Sequence, residues 1–225
     1  MRILITAAEE EELITARQAF NSLSKSEQYG LDITYMLTGI GTTSTSYKLT
    51  KIINSSTVAF DLAVNIGIAG SFSSDFPIGS VARVDKEFFG DLGFETYGGF
   101  QTLFDYQILD ADTHPFKGGA LYAPTLSPVV EEAMSIYKRA SAVTVQTVSG
   151  LPEKTIQLKK DFTAQIESME GAAFFYVSIL EKIPFIELRS VSNEVGERNR
   201  AMWNIPLALD SLKAAVKILM EALSK

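Results

Sequence analysis

Short, nearly unbroken apolar runs alternate along this chain with longer stretches whose apolar residues recur every three or four positions. Ile3-Leu4-Ile5 reads as a first buried strand. Residues 9–22 read as the helix after it, with Leu13, Ile14, the stem of Arg17, Phe20 and Leu23 close to helical spacing. The turn between the two falls at Thr6-Ala7-Ala8. An extended segment over 31–37 leads through Gly39-Ile40-Gly41, a tight turn that lets a ligand approach the backbone, into a helix over 42–53. Residues 61–68 form a buried strand closed by Gly67-Ile68-Ala69-Gly70-Ser71, whose small side chains leave room for a flat ring. A strand over 81–88 follows. From 89 to about 125 the periodicity fails in a segment rich in Gly, Asp and aromatics, a long functional excursion or a lid.

Ser127-Pro128 opens a helix to about 139, and 142–148 is a β-branched strand. Ser149-Gly150-Leu151-Pro152 then leads to a short charged helix. Residues 166–168 are a short strand, Gly171-Ala172-Ala173 opens an apolar helix, and 184–191 is a buried strand ending in Ser192-Asn193. The last helix, 205–223, carries Ile205, Leu209, Leu212, Val216, Leu219 and Leu223 on one face, which is a core stripe. This alternation gives an α/β fold with a central mixed, mostly parallel sheet flanked by helices.

Composition narrows the function. With 225 residues and 46% hydrophobic content the chain can bury a large core, and one domain over 1–225 is expected. No apolar run reaches the ~18 residues of a membrane span, and the acidic residues soon after the start do not suit a signal peptide. A cytoplasmic protein with no membrane partner is therefore expected. The absence of cysteine removes disulfides, thiolate metal sites and cysteine nucleophiles, and the single histidine, His114, rules out a histidine metal cluster within one chain. Neither a metal nor a cofactor is expected. A net charge of −7 argues against nucleic acid, which demands a basic face. The expected partner is a small molecule.

Two acidic features stand out. Glu170 sits where a short strand gives way to a helix, beyond the carboxyl end of a strand, where a carboxylate can offer two acceptor oxygens to a diol. It can equally be a first-turn acid facing the helix dipole. Four glutamates in a row, Glu9 to Glu12, crowd the first strand-to-helix turn; three suit solvent, and one can turn inward.

Glu9-Glu10-Glu11-Glu12, Asn65-Ile66-Gly67-Ile68-Ala69-Gly70, Ser168-Met169-Glu170-Gly171-Ala172 and Arg189-Ser190-Val191-Ser192-Asn193 resemble, in order and spacing, the purine nucleoside phosphorylase and nucleosidase superfamily. The resemblance implies a single-domain nucleoside phosphorylase-like fold, a purine nucleoside as substrate, water as nucleophile and a homo-oligomer. It implies Glu12 as the general base, Arg189 as the group that helps hold Glu12 and the water, Glu170 as the grip on the ribose hydroxyls and Met169 as packing on the sugar. Arg189 also suits a buried ion pair supporting the sheet end.

By the same resemblance Ile68, Ala69, Gly70, Thr147 and Val148 line the sugar and base pocket, with Ser192 and Asn193 at the base. Within the superfamily, residues 192–203 look most like the branch that hydrolyses futalosine in menaquinone biosynthesis. Trp203 then lies beside the 5′ substituent, and Arg198 and Arg200 are candidates for its carboxylate. Asn193 stands where adenine-releasing members have Asp; an amide donates to the N7 and O6 acceptors of a 6-oxopurine, so the residue points to hypoxanthine. A phosphorolytic enzyme, a methylthioadenosine/S-adenosylhomocysteine nucleosidase and a non-catalytic nucleoside-binding protein are the alternatives. Phe104, Phe116 and His114 are candidates to complete a neighbouring site across an interface.

Overall fold

A computed structural model describes residues 1–196 and 199–225. In chain order the elements are β1 (Arg2–Ala7), α1 (Glu10–Asn21), α2 (Lys25–Gln28), β2 (Asp32–Leu37), α3 (Thr42–Ser55), β3 (Leu62–Ser71), β4 (Val81–Phe89), β5 (Gly93–Thr96), β6 (Gly99–Thr102) and β7 (Leu121–Tyr122). Then come α4 (Pro128–Met134), β8 (Lys138–Thr144), α5 (Pro152–Phe162), β9 (Ile166–Ser168), α6 (Gly171–Leu180), β10 (Phe185–Glu194), a 3₁₀ turn at Arg200–Met202 and α7 (Ile205–Leu223).

The main sheet is mixed. Strands β2, β1, β3 and β10 run parallel in that order, β10 pairs antiparallel with β4, and β4 and β9 flank β8 in parallel. The long strand β3 decides the architecture. Its first residues, Leu62 to Asn65, pair with β1, whereas Gly70 and Ser71 pair with β9 on that side. Since β10 follows its other edge, β3, β10, β4, β8 and β9 close into a ring. The carboxyl end of β3 is therefore enclosed between β9 and β10, and ligands in such folds collect beyond strand carboxyl ends.

Helices cover both faces. Leu13, Ala16 and Ala19 of α1 pack with Leu212, Val216 and Leu219 of α7 against Ile3, Ile5 and Val64. On the opposite face α6 sits with Leu49 of α3. Helix α6 is apolar on nearly every side because most of it is buried, from Gly171 through Phe175 with Val177 and Ser178: Phe174 and Phe175 are fully inside, each contributing roughly 1.5–3 kcal/mol by the usual transfer scale. Burial on this scale fixes the start of α6, and Glu170 with it.

The structure corrects several sequence boundaries. Helix α4 ends at Met134, not near 139, because Lys138 to Ala140 are taken into a parallel ladder with Ala82 to Val84, and Arg139 bonds Asp85 and Glu131. The strand expected over 142–148 accordingly starts at Lys138 and leaves the sheet after Thr144. Strand β3 runs through Gly67 to Ser71 instead of closing there, since β10 continues beside it to Glu194. For the same reason β10 does not end at Ser192-Asn193. Strand β1 takes in Thr6 and Ala7, moving the first turn to Ala8-Glu9. On α7, Ile205 is exposed and Leu209 and Leu223 are half-buried; Ala208, Ala215 and Met220 complete the buried stripe in their place.

The irregular region folds as the β5–β6 hairpin plus β7, anchored by an aromatic cluster of Phe89, Phe104, Phe116 and Tyr176. Phe116 is buried in the protein's own core and Phe104 packs against it, while His114 is exposed.

Candidate active site

At the enclosed end of β3 lies a cavity of about 260 Å³, to which Glu12, Ile68, Glu170, Asn193 and Trp203 contribute. Glu12 is the inward-turned member of the glutamate run; Glu9, Glu10 and Glu11 are exposed and Glu12 is 5% exposed. Helical geometry makes this selection, because Glu12 shares the inner face of α1 with Ala16 and Ala19. Its Oε2 accepts from the backbone N–H groups of Ala8 and Glu9, both at 3.1 Å, and its Oε1 accepts from Ile68 N–H at 2.9 Å. Burial raises the Glu12 pKa above the usual carboxylate range, against the pull of Arg189 and these N–H groups. The result is a fixed carboxylate with the basicity to take a proton from water.

Arg189 lies behind the acids, 1% exposed, on β10. Its Nε donates to Glu187 Oε1 at 3.0 Å, and its Nη1 stands 3.6 Å from Glu170 Oε2. Gly67 makes the arrangement possible. A Cβ there would lie 2.1 Å from Arg189 Nη1 and 3.1 Å from Glu12 Oε1, so the guanidinium and the carboxylate both lie over bare backbone. Burial opposes the Arg189 charge, but Glu187, Glu170 and Glu12 together raise its pKa. Of the two roles expected of Arg189, the buried pairing in the sheet is formed; among the described residues it makes no ion pair with Glu12, on which it acts through its charge while three backbone N–H groups hold the carboxylate.

Glu170 is the N-cap of α6, 6% exposed, and its Oε1 accepts from Gly41 N–H at 3.1 Å. Gly41 takes φ +89°, which presents that N–H to the acid across the chain and opens α3. Burial raises the Glu170 pKa, with Arg189 and the Gly41 N–H opposing. Met169 is half-buried beside it on the cavity wall, together with Ala69, Gly70 and Val148.

Asn193 is half-buried and oriented by its neighbour: Ser192 Oγ donates to Asn193 Oδ1 at 2.8 Å, and Asn193 Nδ2 donates to Glu194 O at 2.8 Å. One Nδ2 proton is left for the cavity. Trp203 lines the cavity just after the 3₁₀ turn and is half-buried. Thr147 is not brought to the site: it is exposed on the loop that follows β8 and does not line the cavity. Arg200 is exposed, and Arg198 lies outside the described residues. No residue of 90–125 lines the cavity, so the lid reading is not supported among the described residues.

Sequence reasoning missed a second tier of polar groups. Asn65 Nδ2 donates to Glu187 Oε2 at 3.0 Å, and Thr6 Oγ1 donates to Asn65 Oδ1 at 3.1 Å. Glu167, 6% exposed, lines the cavity and accepts from Ser149 N–H at 3.0 Å and Ser149 Oγ at 2.5 Å. A signal existed for Glu187: a lone acid inside the apolar run Phe185-Ile186-Glu187-Leu188, two residues before Arg189 and so on the same strand face. Among the described residues, none of the His, Asp and Glu side chains gather in threes that could hold a metal ion, and no helix is long and apolar enough to cross a membrane.

This buried Arg–Glu frame sits at the closed end of a mixed α/β sheet. The phosphorylase superfamily model matches residues 7–224, and the chain belongs to that superfamily. A futalosine hydrolase from Streptomyces coelicolor is 32% identical over 160 residues, 70% of this chain and 64% of that protein, so the match spans just under two thirds of that relative. A 5′-methylthioadenosine/S-adenosylhomocysteine nucleosidase from Maridesulfovibrio salexigens is 25% identical over 213 residues, 88% of this chain and 87% of its own. Among solved structures, the 5′-methylthioadenosine/S-adenosylhomocysteine nucleosidase of Colwellia psychrerythraea, in complex with adenine, shares the fold with a TM-score of 0.76 at 17% identity, covering 100% of this chain and 95% of that one.

Proposed function

We propose that this protein is a nucleosidase that hydrolyses the N-ribosyl bond of futalosine, releasing hypoxanthine and dehypoxanthine futalosine. The observation that carries the hydrolytic reading is the charge of the cavity wall. Among the described residues it holds Glu9, Glu12, Glu167 and Glu170 and no lysine, arginine or histidine. Phosphate as nucleophile needs a cationic or N–H-rich cradle, whereas water needs only a base. The water oxygen bonds to C1′ and the water's proton passes to Glu12 as the C1′–N9 bond breaks; the bonding pair leaves with the purine, which takes up a proton from solvent to become hypoxanthine. The sugar passes through an oxocarbenium-like state, which the adjacent Glu12 carboxylate stabilises. Glu170 faces the sugar diol, and Met169 packs beneath it.

The base reading rests on strand register. Gly70 pairs with Asn193 on one side and with Glu167 on the other, so an amide and a carboxylate flank a strand position that has no side chain. Both side chains line the cavity together with Val195, whose Cγ2 lies 2.7 Å from where a Cβ on Gly70 would stand, and the planar base is read into that cavity beside Asn193 and Glu167. A 6-oxopurine offers acceptors at N7 and O6 to the Asn193 amide and an N1–H donor to the Glu167 carboxylate. A 6-aminopurine has an unprotonated N1, which Glu167 would repel. The identity to the Streptomyces coelicolor relative agrees with this choice, while the Maridesulfovibrio salexigens relative keeps a methylthioadenosine substrate as the second reading.

The deciding experiment incubates the protein with futalosine, inosine and methylthioadenosine, with and without phosphate. Hypoxanthine and a free sugar from futalosine, at a rate indifferent to phosphate, is the expected result. A sugar phosphate product would replace water by phosphate, and faster release of adenine from methylthioadenosine would replace the base assignment.

Asn193→Asp should lower kcat/KM for futalosine and raise it for the 6-amino analogue. The change in discrimination is expected at about 1–3 kcal/mol, the cost of one buried donor turned into an acceptor. An unmoved ratio between the two bases would show that Asn193 does not read the purine.

A further inference from the structure

Beneath the start of α6, away from the cavity, two buried carboxyl groups face each other. Glu87 on β4 and Glu187 on β10 are both 0% exposed. Their Oε1 atoms lie 1.9 and 2.7 Å from the one point that a Cβ on Gly171 would occupy, so they share a single methyl-sized space kept open by that glycine. Glu187 has its donors already: Arg189 Nε on Oε1 and Asn65 Nδ2 on Oε2, both at 3.0 Å. Glu87 Oε2 accepts from Thr144 Oγ1 at 2.9 Å, and Thr144 Oγ1 in turn accepts from Ala172 N–H at 2.8 Å. No donor reaches Glu87 Oε1 among the described residues. Two facing carboxyl oxygens in a dry site require a proton between them.

We propose that Glu87 works as a carboxylic acid whose Oε1–H donates to Glu187 Oε1, making it a positioning residue that fixes Glu187 and, through it, Arg189 beneath the catalytic carboxylates. The functional half of this inference rests on the roles given above to Glu12 and Arg189. Among the described residues, the charged groups around Glu87 are Glu187 and Arg189 on β10, with Glu170 and Glu12 beyond the guanidinium; β8, β9 and β3 face it with the neutral Thr144, Ser168 and Asn65. Burial pushes the Glu87 pKa well above the ordinary carboxylate value, and the Glu187 charge adds to the effect. With Glu87 neutral, Glu187 and Arg189 form a charge-balanced pair, leaving the guanidinium's far side to Glu170 and Glu12. The proton supplies the third donor that holds Glu187 in register with Arg189.

Glu87→Gln and Glu87→Met separate the alternatives. A glutamine copies the protonated acid, donating from its amide to Glu187 and accepting from Thr144. Glu87→Gln should therefore keep kcat within about 3-fold of the parent and leave the pH–rate profile in place. Glu87→Met keeps the volume and removes the donor; kcat should fall by about 10-fold or more with KM little changed, because a displacement near 1 Å at the reacting groups costs up to ~10²-fold. Infrared difference spectra of the whole protein at neutral pH should show the C=O stretch of a buried protonated carboxyl that disappears in Glu87→Gln. The infrared measurement needs no substrate, so it tests Glu87 even if futalosine proves not to be cleaved, or if Glu87→Met fails to fold. A Glu87→Gln enzyme as impaired as Glu87→Met, a shifted acid limb in Glu87→Gln, a fully active Glu87→Met enzyme, or an absent carboxyl band would each overturn the proposal.

Discussion

Glu12→Gln is expected to lower kcat for nucleoside hydrolysis by about 10²–10⁴-fold while leaving nucleoside binding nearly intact, because an amide cannot take the proton of the attacking water. The carboxylate is well placed for this work. Three backbone N–H groups hold it rigid, and burial raises its pKa, so it is a stronger base than an exposed glutamate. The direction of the pH dependence follows from that shift. Glu12 must be ionised to act, so activity falls as pH drops through its raised pKa, and the acid limb of kcat lies above the ordinary carboxylate range. In Glu12→Gln that limb should vanish from the residual rate. Single-turnover kinetics across pH, with binding measured separately by calorimetry, checks both statements. Wild-type turnover in Glu12→Gln would move the base to another acid on the cavity wall.

Arg189→Met is expected to destabilise the protein by about 3–5 kcal/mol, the usual cost of removing one partner from a buried ionic cluster. The stem volume is roughly kept, so the loss is electrostatic. Glu187 loses its 3.0 Å donor and Glu170 its cationic neighbour, in a site only 1% exposed. A second consequence has a definite sign. Arg189 lowers the Glu12 pKa, so its removal lets that pKa rise further and moves the acid limb of activity to higher pH. Denaturant unfolding gives the stability change and the pH–rate profile gives the shift. Unchanged stability would mean that the buried acids take up protons and need no cation, which would remove Arg189 from the charge balance of the site.

The alternation of apolar runs and helical stripes made the α/β class legible, because strand and helix periods are local properties of the chain. The inward turn of one glutamate was also legible in kind: once α1 is a helix with a buried face, the four successive glutamates cannot all point to solvent or all point inward, and Glu12 is the one next to the buried Leu13. Glu170 at the mouth of α6 followed from the junction of a strand with an apolar helix. Where the sequence misled, non-local pairing was the cause. The helical pattern through 139 lost to a ladder with β4, and the glycine-rich end of β3 stayed in the sheet because β10 and β9 flank it.

From the sequence alone came the helical and strand periods, the turn glycines and the residue types available for chemistry, since composition and periodicity fix what each segment can bury and what charges it carries; which α7 residues fill the core, Ala208, Ala215 and Met220 and not Ile205, was settled by packing. Only tertiary structure decided which acids share a site. Glu87 and Glu187 are distant in sequence from Glu12, and β4 and β10 bring them together under Gly171 with Arg189 as the common cation. Closure of β3, β10, β4, β8 and β9 into a ring also set Asn193 and Glu167 on either side of Gly70. Strand order is a long-range property, decided by which apolar faces can be buried together, and no single segment carries it.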